Sequence, residues 1–196
     1  MKNNSKILND SCMDLVAVDT TSAMRPPKPN NTIDFCCAAN LPTNFKLAKD
    51  PNVTILYDLN NLFCKIEPKC PESQSGCQSC CQRFDIRVLG SIPFIANATV
   101  YPNADQCSTA SPNCPIKISC SCVVPVNKVV CNVCSYEAAI EACTILGFKL
   151  RNCSCVTVDN LMATQGTGDG SCAVTFTGKF KLPDCNTPTS IGCPRA

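Results

Sequence analysis

Apolar and polar residues alternate with period two along most of this chain, which is the pattern of strands that bury one face. In RFDIRVLG (83–90) Phe84, Ile86 and Val88 oppose Asp85 and Arg87. In PFIANATVYP (93–102) Phe94, Ala96, Ala98 and Val100 oppose Asn97 and Thr99. Gly90 and Ser91, between these two runs, predict a hairpin turn. Further on, Ile116, Ile118, Cys120, Cys122 and Val124 share one face, with Lys117, Ser119 and Ser121 on the other. Pro125 is expected to end that strand, and NKVVCNVC (127–134) to form the next. TIDFCCAAN (32–40), NVTILYDL (52–59) and LFCKI (62–66) predict short strands, and CAVTFTGKFKL (172–182) another, with Val174, Phe176, Phe180 and Leu182 on one face.

One segment has the helical period instead. Residues 135–146 carry Ser135 as N-cap, with Gly147 as the stop signal. Tyr136, Ile140 and Cys143 recur at helical spacing and predict the buried stripe, while Glu137 and Glu141 face outward near the positive end of the helix dipole. After it, FKLRNCSCVTV (148–158) alternates Phe148 and Leu150 with Lys149 and Arg151, then changes phase at Cys153 and Cys155. That change predicts a bulge near Asn152. QGTGDGS (165–171) predicts a hairpin connection, since its glycines lack the Lys-Ser/Thr and the helix of a phosphate loop. About eight to ten strands with one helix predict a mainly β, antiparallel sandwich or barrel-like domain. It spans 32–196, with a sub-boundary near 82 where the loop EPKCPESQSGCQSCCQ (67–82) ends. Residues 1–31 are polar, end in RPPKPNN and predict an extended N-terminal arm. Within the arm, MDLVAVD (13–19) is apolar enough to add as a strand to a neighbouring subunit.

Composition narrows the chemistry. The chain contains no histidine and no tryptophan, so Ser-His-Asp and Cys-His catalysis are excluded. Glu137 and Glu141, four apart on a helix, are expected to be a solvated face rather than catalytic carboxylates. Asp169 lies in no calcium-binding loop pattern. No catalytic residue, metal or cofactor is therefore assigned, and the chain is not expected to be an enzyme. Only 16% of residues are charged, the net charge is +2 and the pI is about 7.8. So weak a field implies neither nucleic acid nor membrane as partner, and it offers little repulsion against self-association. The first residues lack the apolar core and cleavage site of a secretory leader, which predicts synthesis in the cytoplasm and leaves six N-x-S/T triplets without access to glycosylation.

Against that weakly charged background stand 20 cysteines. A reducing cytosol normally keeps thiols free, yet this density is that of a disulfide scaffold. Two C-x-x-C pairs, Cys77/Cys80 and Cys131/Cys134, are separated too widely for a common zinc site, and the second lacks the βαβ setting of a redox motif. Vicinal cysteines are too strained to bond each other easily, and C-x-C thiols on one strand point together toward something else. Cys36, Cys37, Cys80, Cys81, Cys120, Cys122, Cys153 and Cys155 are therefore expected to bridge to other strands, elements or molecules. Cys12 in the arm and Cys185 and Cys193 near the end complete the candidate crosslinks. Whether these join segments of one subunit or neighbouring subunits stays open at this level.

Clusters such as CC, CSC and CQSCC, spread over residues 12–193, resemble the cysteine-rich coat and exosporium proteins of endospore-forming bacteria, the clostridial kind in particular. The resemblance implies a structural protein, made in the mother cell without an export signal. It would assemble with itself, and with other spore-surface proteins, into a lattice or filament on the spore that becomes disulfide-crosslinked. Two other functions fit the residues: a monomeric disulfide-rich binding or inhibitor module, and a zinc-binding or thiol-redox protein.

Overall fold

The computed structural model describes residues 30–69, 83–102, 115–152, 154–166 and 172–185. In chain order these form β1 (Thr32–Asn40), β2 (Phe45–Leu47), β3 (Thr54–Tyr57), β4 (Phe63–Lys69), β5 (Arg83–Pro102), β6 (Ile116–Val133), α1 (Tyr136–Leu150), β7 (Thr157–Gln165) and β8 (Ala173–Lys181). Every strand pairing among them is antiparallel. The chain is mainly β with one helix, as the alternation predicts. The arm, with MDLVAVD, and the cysteine-rich stretch 70–82 lie outside the described residues.

Two sheets face each other. The smaller has the order β1-β8-β7. The larger is built on β5, a strand of 20 residues, with β6 along one side and β2, β3 and β4 laid end to end along the other. Even-numbered residues of β5, from Phe84 to Pro102, point inward, and Ile86, Val88, Ile92, Ala96, Ala98 and Val100 are fully buried. One half of this face is covered by the smaller sheet, through an aromatic cluster. The Phe35 ring lies 4.8 Å from both Phe94 and Phe180, and Tyr57 meets Phe180 edge-on at 5.3 Å. The other half is covered by α1, which packs on β4, β5 and β6. Polar contacts tie the β7 edge to the larger sheet: Leu47 N–H donates to Gln165 Oε1 and Tyr57 Oη–H donates to the Val156 carbonyl.

Gly90 does not turn the chain. It sits within β5 at φ +128°, and a Cβ there would fall 1.9 Å from the Asn61 carbonyl oxygen. Glycine is needed because the loop between β3 and β4 presses onto the strand. The two alternating runs on either side share one parity, so they continue a single strand through the glycine rather than folding back. Pro93 is tolerated in this central strand because it falls in the gap between the β3 and β4 pairings. Pro125 likewise does not end its strand. It lies opposite Ser91 within β6, which among the described residues pairs on one side only, so the missing N–H interrupts no second ladder there.

Helix α1 differs from expectation in length and in face. Ser135 is the N-cap, its Oγ accepting from Ala138 N–H at 3.2 Å. The helix runs through Gly147 to Leu150, so Phe148 and Leu150 belong to it and not to a strand. The buried stripe is Ala139, Ala142, Leu146 and Leu150, whereas Tyr136 and Ile140 are 58% and 45% exposed. Two apolar stripes compete on this helix, and the one with small alanines allows the close approach that a sheet surface demands. The bulge expected near Asn152 is found instead in β7 between Asp159 and Met162, where Asn160 takes φ +54°. β7 and β8 pair antiparallel, with Gly166 N–H donating to Ala173 O, as the hairpin connection requires.

Candidate functional site

The cysteines are placed by strand alternation and by one helical position. Three disulfides join described residues, each between different elements. Cys37 points inward from β1 beside Phe35 and bonds Cys120 of β6, closing the sandwich along one edge with a Cα separation of 6.2 Å. Cys64 of β4 bonds Cys143 of α1 at 5.6 Å and holds the helix on the sheet. Cys131 of β6 bonds Cys185, beyond β8, at 6.0 Å. β5 contains no cysteine, yet all three bridges fasten other elements across it or onto its direct partners β4 and β6. Geometrically they act as layer-to-layer staples within one subunit.

Of the candidate crosslinks, the C-x-C and C-C reasoning is met at Cys37 and Cys120, which bond across the two sheets rather than to their sequence neighbours. Cys36 is also disulfide-bonded, as is Cys134. Cys122 and Cys155 are free and half-buried, so the two thiols of Cys120-x-Cys122 share a face without sharing a fate. Cys155 sits in the turn before β7 and not on a strand, because α1 consumes the residues expected to begin it. Cys12, Cys80, Cys81, Cys153 and Cys193 lie outside the described residues. The bridge Cys64–Cys143 and the role of Cys131 were missed. Cys143 carried a signal, since it lies on an apolar helical stripe, but its partner on β4 is 79 residues away in sequence. Cys172, free and exposed at the start of β8, was also passed over. The bond of Cys131 to Cys185 separates it from Cys134, so this C-x-x-C does not act as an internal redox pair. Among the described residues, no group of three or more His, Cys, Asp or Glu converges as metal ligands would, and no helix is long and apolar enough to cross a membrane.

Two surface features accompany the staples. The first is a groove of about 370 Å³ between β4 and α1, lined by Leu62, Phe63, Ile66, Ile140 and Gly147, with the Cys64–Cys143 bridge in its wall. Its apolar wall follows from the helix turning its larger stripe outward, and Thr144 and Arg151 make the rest of the lining polar. The second is the outer face of the larger sheet, where Leu56, Ile95 and Val123 are 71, 46 and 57% exposed. At one end of that face lies a lattice of charges. Arg87 Nε donates to Glu67 Oε2 at 2.9 Å and Arg87 Nη1 to Asn127 Oδ1 at 2.6 Å, while Lys65 meets Glu67 at 2.9 Å. Asn132 donates to Asp85 beside them. The hydrogen bond from Lys65, assisted by the Arg87 charge, holds the Glu67 carboxyl below its ordinary value of 4.5, against the opposing effect of desolvation.

Comparison with protein-family models, with curated proteins and with solved structures yields no match to this chain.

Proposed function

We propose that this chain is a structural building block that assembles with itself into a disulfide-crosslinked layer or filament, of the kind that armours a bacterial spore. The observation that carries the proposal is the surplus of thiol chemistry over what one subunit needs. Three internal staples already fasten both covers of the β5–β6 ribbon, and beyond them Cys172 remains free and solvent-exposed. A core of fully buried Phe176, Phe180, Ile86, Ile92, Leu146 and Leu150 is ample for a domain of this size without many further bridges. Cysteines in excess of folding are available to link subunits. The resemblance in cysteine clustering to spore coat and exosporium proteins, and the low net charge, support the same reading.

The test is to express the full chain, oxidise it, and examine it by electron microscopy beside reducing and non-reducing gels. Regular sheets or filaments, with large species that collapse on reduction, are the expected outcome. A soluble monomer under both conditions overturns the proposal. That result would favour a monomeric disulfide-rich binding module, for which the internal bridges and the groove beside α1 are the supporting observations.

A further inference from the structure

We infer that the groove between β4 and α1 is the docking site of this chain's own N-terminal arm, with residues 13–19, MDLVAVD, lying in it as an extended strand on the free edge of β4. The inference goes beyond the assembly proposal and does not rest on it.

β4 pairs with β5 along one side and, among the described residues, with no strand along the other. Pro68 has no N–H to give, yet it sits in the ladder opposite Phe84, so its backbone occupies a position turned away from β5. By alternation the backbones of Cys64 and Ile66 turn away as well, and both residues line the groove. Their N–H and C=O groups meet no partner among the described residues. A free strand edge beside an apolar wall is the setting for strand addition. Helix α1 supplies that wall: Ile140, Cys143, Thr144, Gly147 and Arg151 share one side of it, and a Cβ on Gly147 would meet nothing within 4 Å. Glycine weakens a helix interior, and no described residue crowds this one. Its bare backbone suits a chain that crosses it from outside.

Composition, charge and reach name the occupant. Outside the described residues, every Leu, Val and Met of the chain falls in the arm. As a strand, MDLVAVD puts Met13, Leu15, Ala17 and Asp19 on one face, three apolar side chains followed by a carboxylate. Asp14, Val16 and Val18 fall on the opposite face, away from the helix. The groove has the matching order, from Ile66 and Ile140 to Thr144 and Arg151, and Arg151 meets no carboxylate among the described residues. Six strand steps cover about 20 Å, and the helix from Ile140 to Arg151 about 16 Å. Direction agrees too. The Tyr136 ring lies 5.7 Å from Phe84, opposite Pro68, while Cys143 is bonded to Cys64, so α1 runs antiparallel to β4. A segment that brings Asp19 to Arg151 therefore adds to β4 antiparallel, as every other pairing of the fold does. The arm leaves the described fold in the right place for this. Asn31 donates to Asp184, and Lys149 in the last turn of α1 donates to the Asp184 carbonyl at 3.2 Å, on the flank of the helix opposite the groove. The ten residues 20–29 reach about 30 Å, enough to round the end of a helix about 10 Å wide. So short a tether favours the arm's own groove over a neighbour's in dilute solution.

The test is hydrogen–deuterium exchange, read by mass spectrometry, on the oxidised full chain over a concentration series. Amides of residues 14–19 are expected to exchange at least tenfold more slowly than in a free peptide of residues 1–29. Gly147→Leu, which fills the groove, is expected to speed their exchange at least fivefold, and Arg151→Asp about threefold, while β5 and β6 keep their protection. Combining Arg151→Asp with Asp19→Arg is expected to restore the arm's protection. Should Gly147→Leu unsettle the helix, seen as faster exchange within α1, Leu15→Asp releases the arm without touching the folded domain. Arm amides that exchange at the peptide's rate in the wild type, protection that survives both Gly147→Leu and Leu15→Asp, or a charge exchange that restores nothing overturns the inference. So does protection lost on hundredfold dilution, which would place the arm on another copy. The assembly proposal is read separately, by microscopy and gels. Polymers built from chains with unprotected arms sink this inference alone, and a protected arm on a chain that never polymerises sinks only the crosslinked layer.

Discussion

Gly90 is the residue on which the sheet's length depends, because its positive φ and the Asn61 carbonyl at 1.9 Å from a would-be Cβ leave room for no side chain. Gly90→Ala is expected to destabilise the fold by about 2 kcal/mol or more, measured by chemical denaturation, since both backbone strain and a backbone clash act there. A loss under about 0.5 kcal/mol would mean that the loop after β3 does not press on β5. Gly178 plays a related part in β8: the Phe35 ring lies over it, 2.5 Å from where a Cβ would stand, so its small size is what admits the aromatic cluster. Glu67 gives a second prediction at this scale. Its carboxyl is held below 4.5 by Lys65, so the folded state favours the charged form. That stabilisation is complete above the unfolded value of about 4.5 and is lost as pH falls through the lower folded value. Glu67→Gln is expected to lower stability slightly at neutral pH and to leave a shallower decline on acidification, seen in melting temperature against pH. An unchanged profile would show that the ion pair is idle.

At the scale of elements, strand identity was legible wherever alternation ran unbroken. β1 and β8 follow the predicted segments nearly residue for residue, and the inward face of β8 is the predicted one. The breaks were misjudged, and for one reason: glycine and proline mark local backbone properties, while only the neighbouring strands determine whether the chain turns there. Gly90 and Pro125 both lie inside strands because their partners accommodate them. Helix α1 shows the same limit differently. Its circumference is apolar on two sides, so periodicity offered two stripes and the sheet accepted the one with alanines. Ala139→Leu is accordingly expected to cost about 1–3 kcal/mol by overpacking against the sheet. Ile140→Ala, at a position 45% exposed, is expected to cost less than about 1 kcal/mol. Denaturant melts of the two variants check this, and a reversed order would restore the stripe of Tyr136, Ile140 and Cys143 to the core.

For the whole molecule, the disulfides connect parts that the chain separates by 83, 79 and 54 residues. Loops of that length make a bridge worth roughly 2–4 kcal/mol through the unfolded state. Replacing Cys37 and Cys120 together by alanine is expected to lower stability by about that amount, in a melt without reductant, while the aromatic cluster keeps the two sheets together. If the double variant no longer unfolds cooperatively, the bridge is a condition of the fold and not a reinforcement of it.

Sequence by itself determined the β-rich class, the inward faces of most strands, the helix with its Ser135 cap, and the expectation that C-x-C thiols look elsewhere for partners. Those properties are local, written in periods of two or 3.6 residues and in the chemistry of single side chains. Tertiary structure decided that two predicted strands are one β5, which stripe of α1 is buried, and that Cys120 meets Cys37 while Cys122 stays free. Each of those choices depends on a surface assembled from distant segments, and a period along the chain holds no record of which surface will arrive.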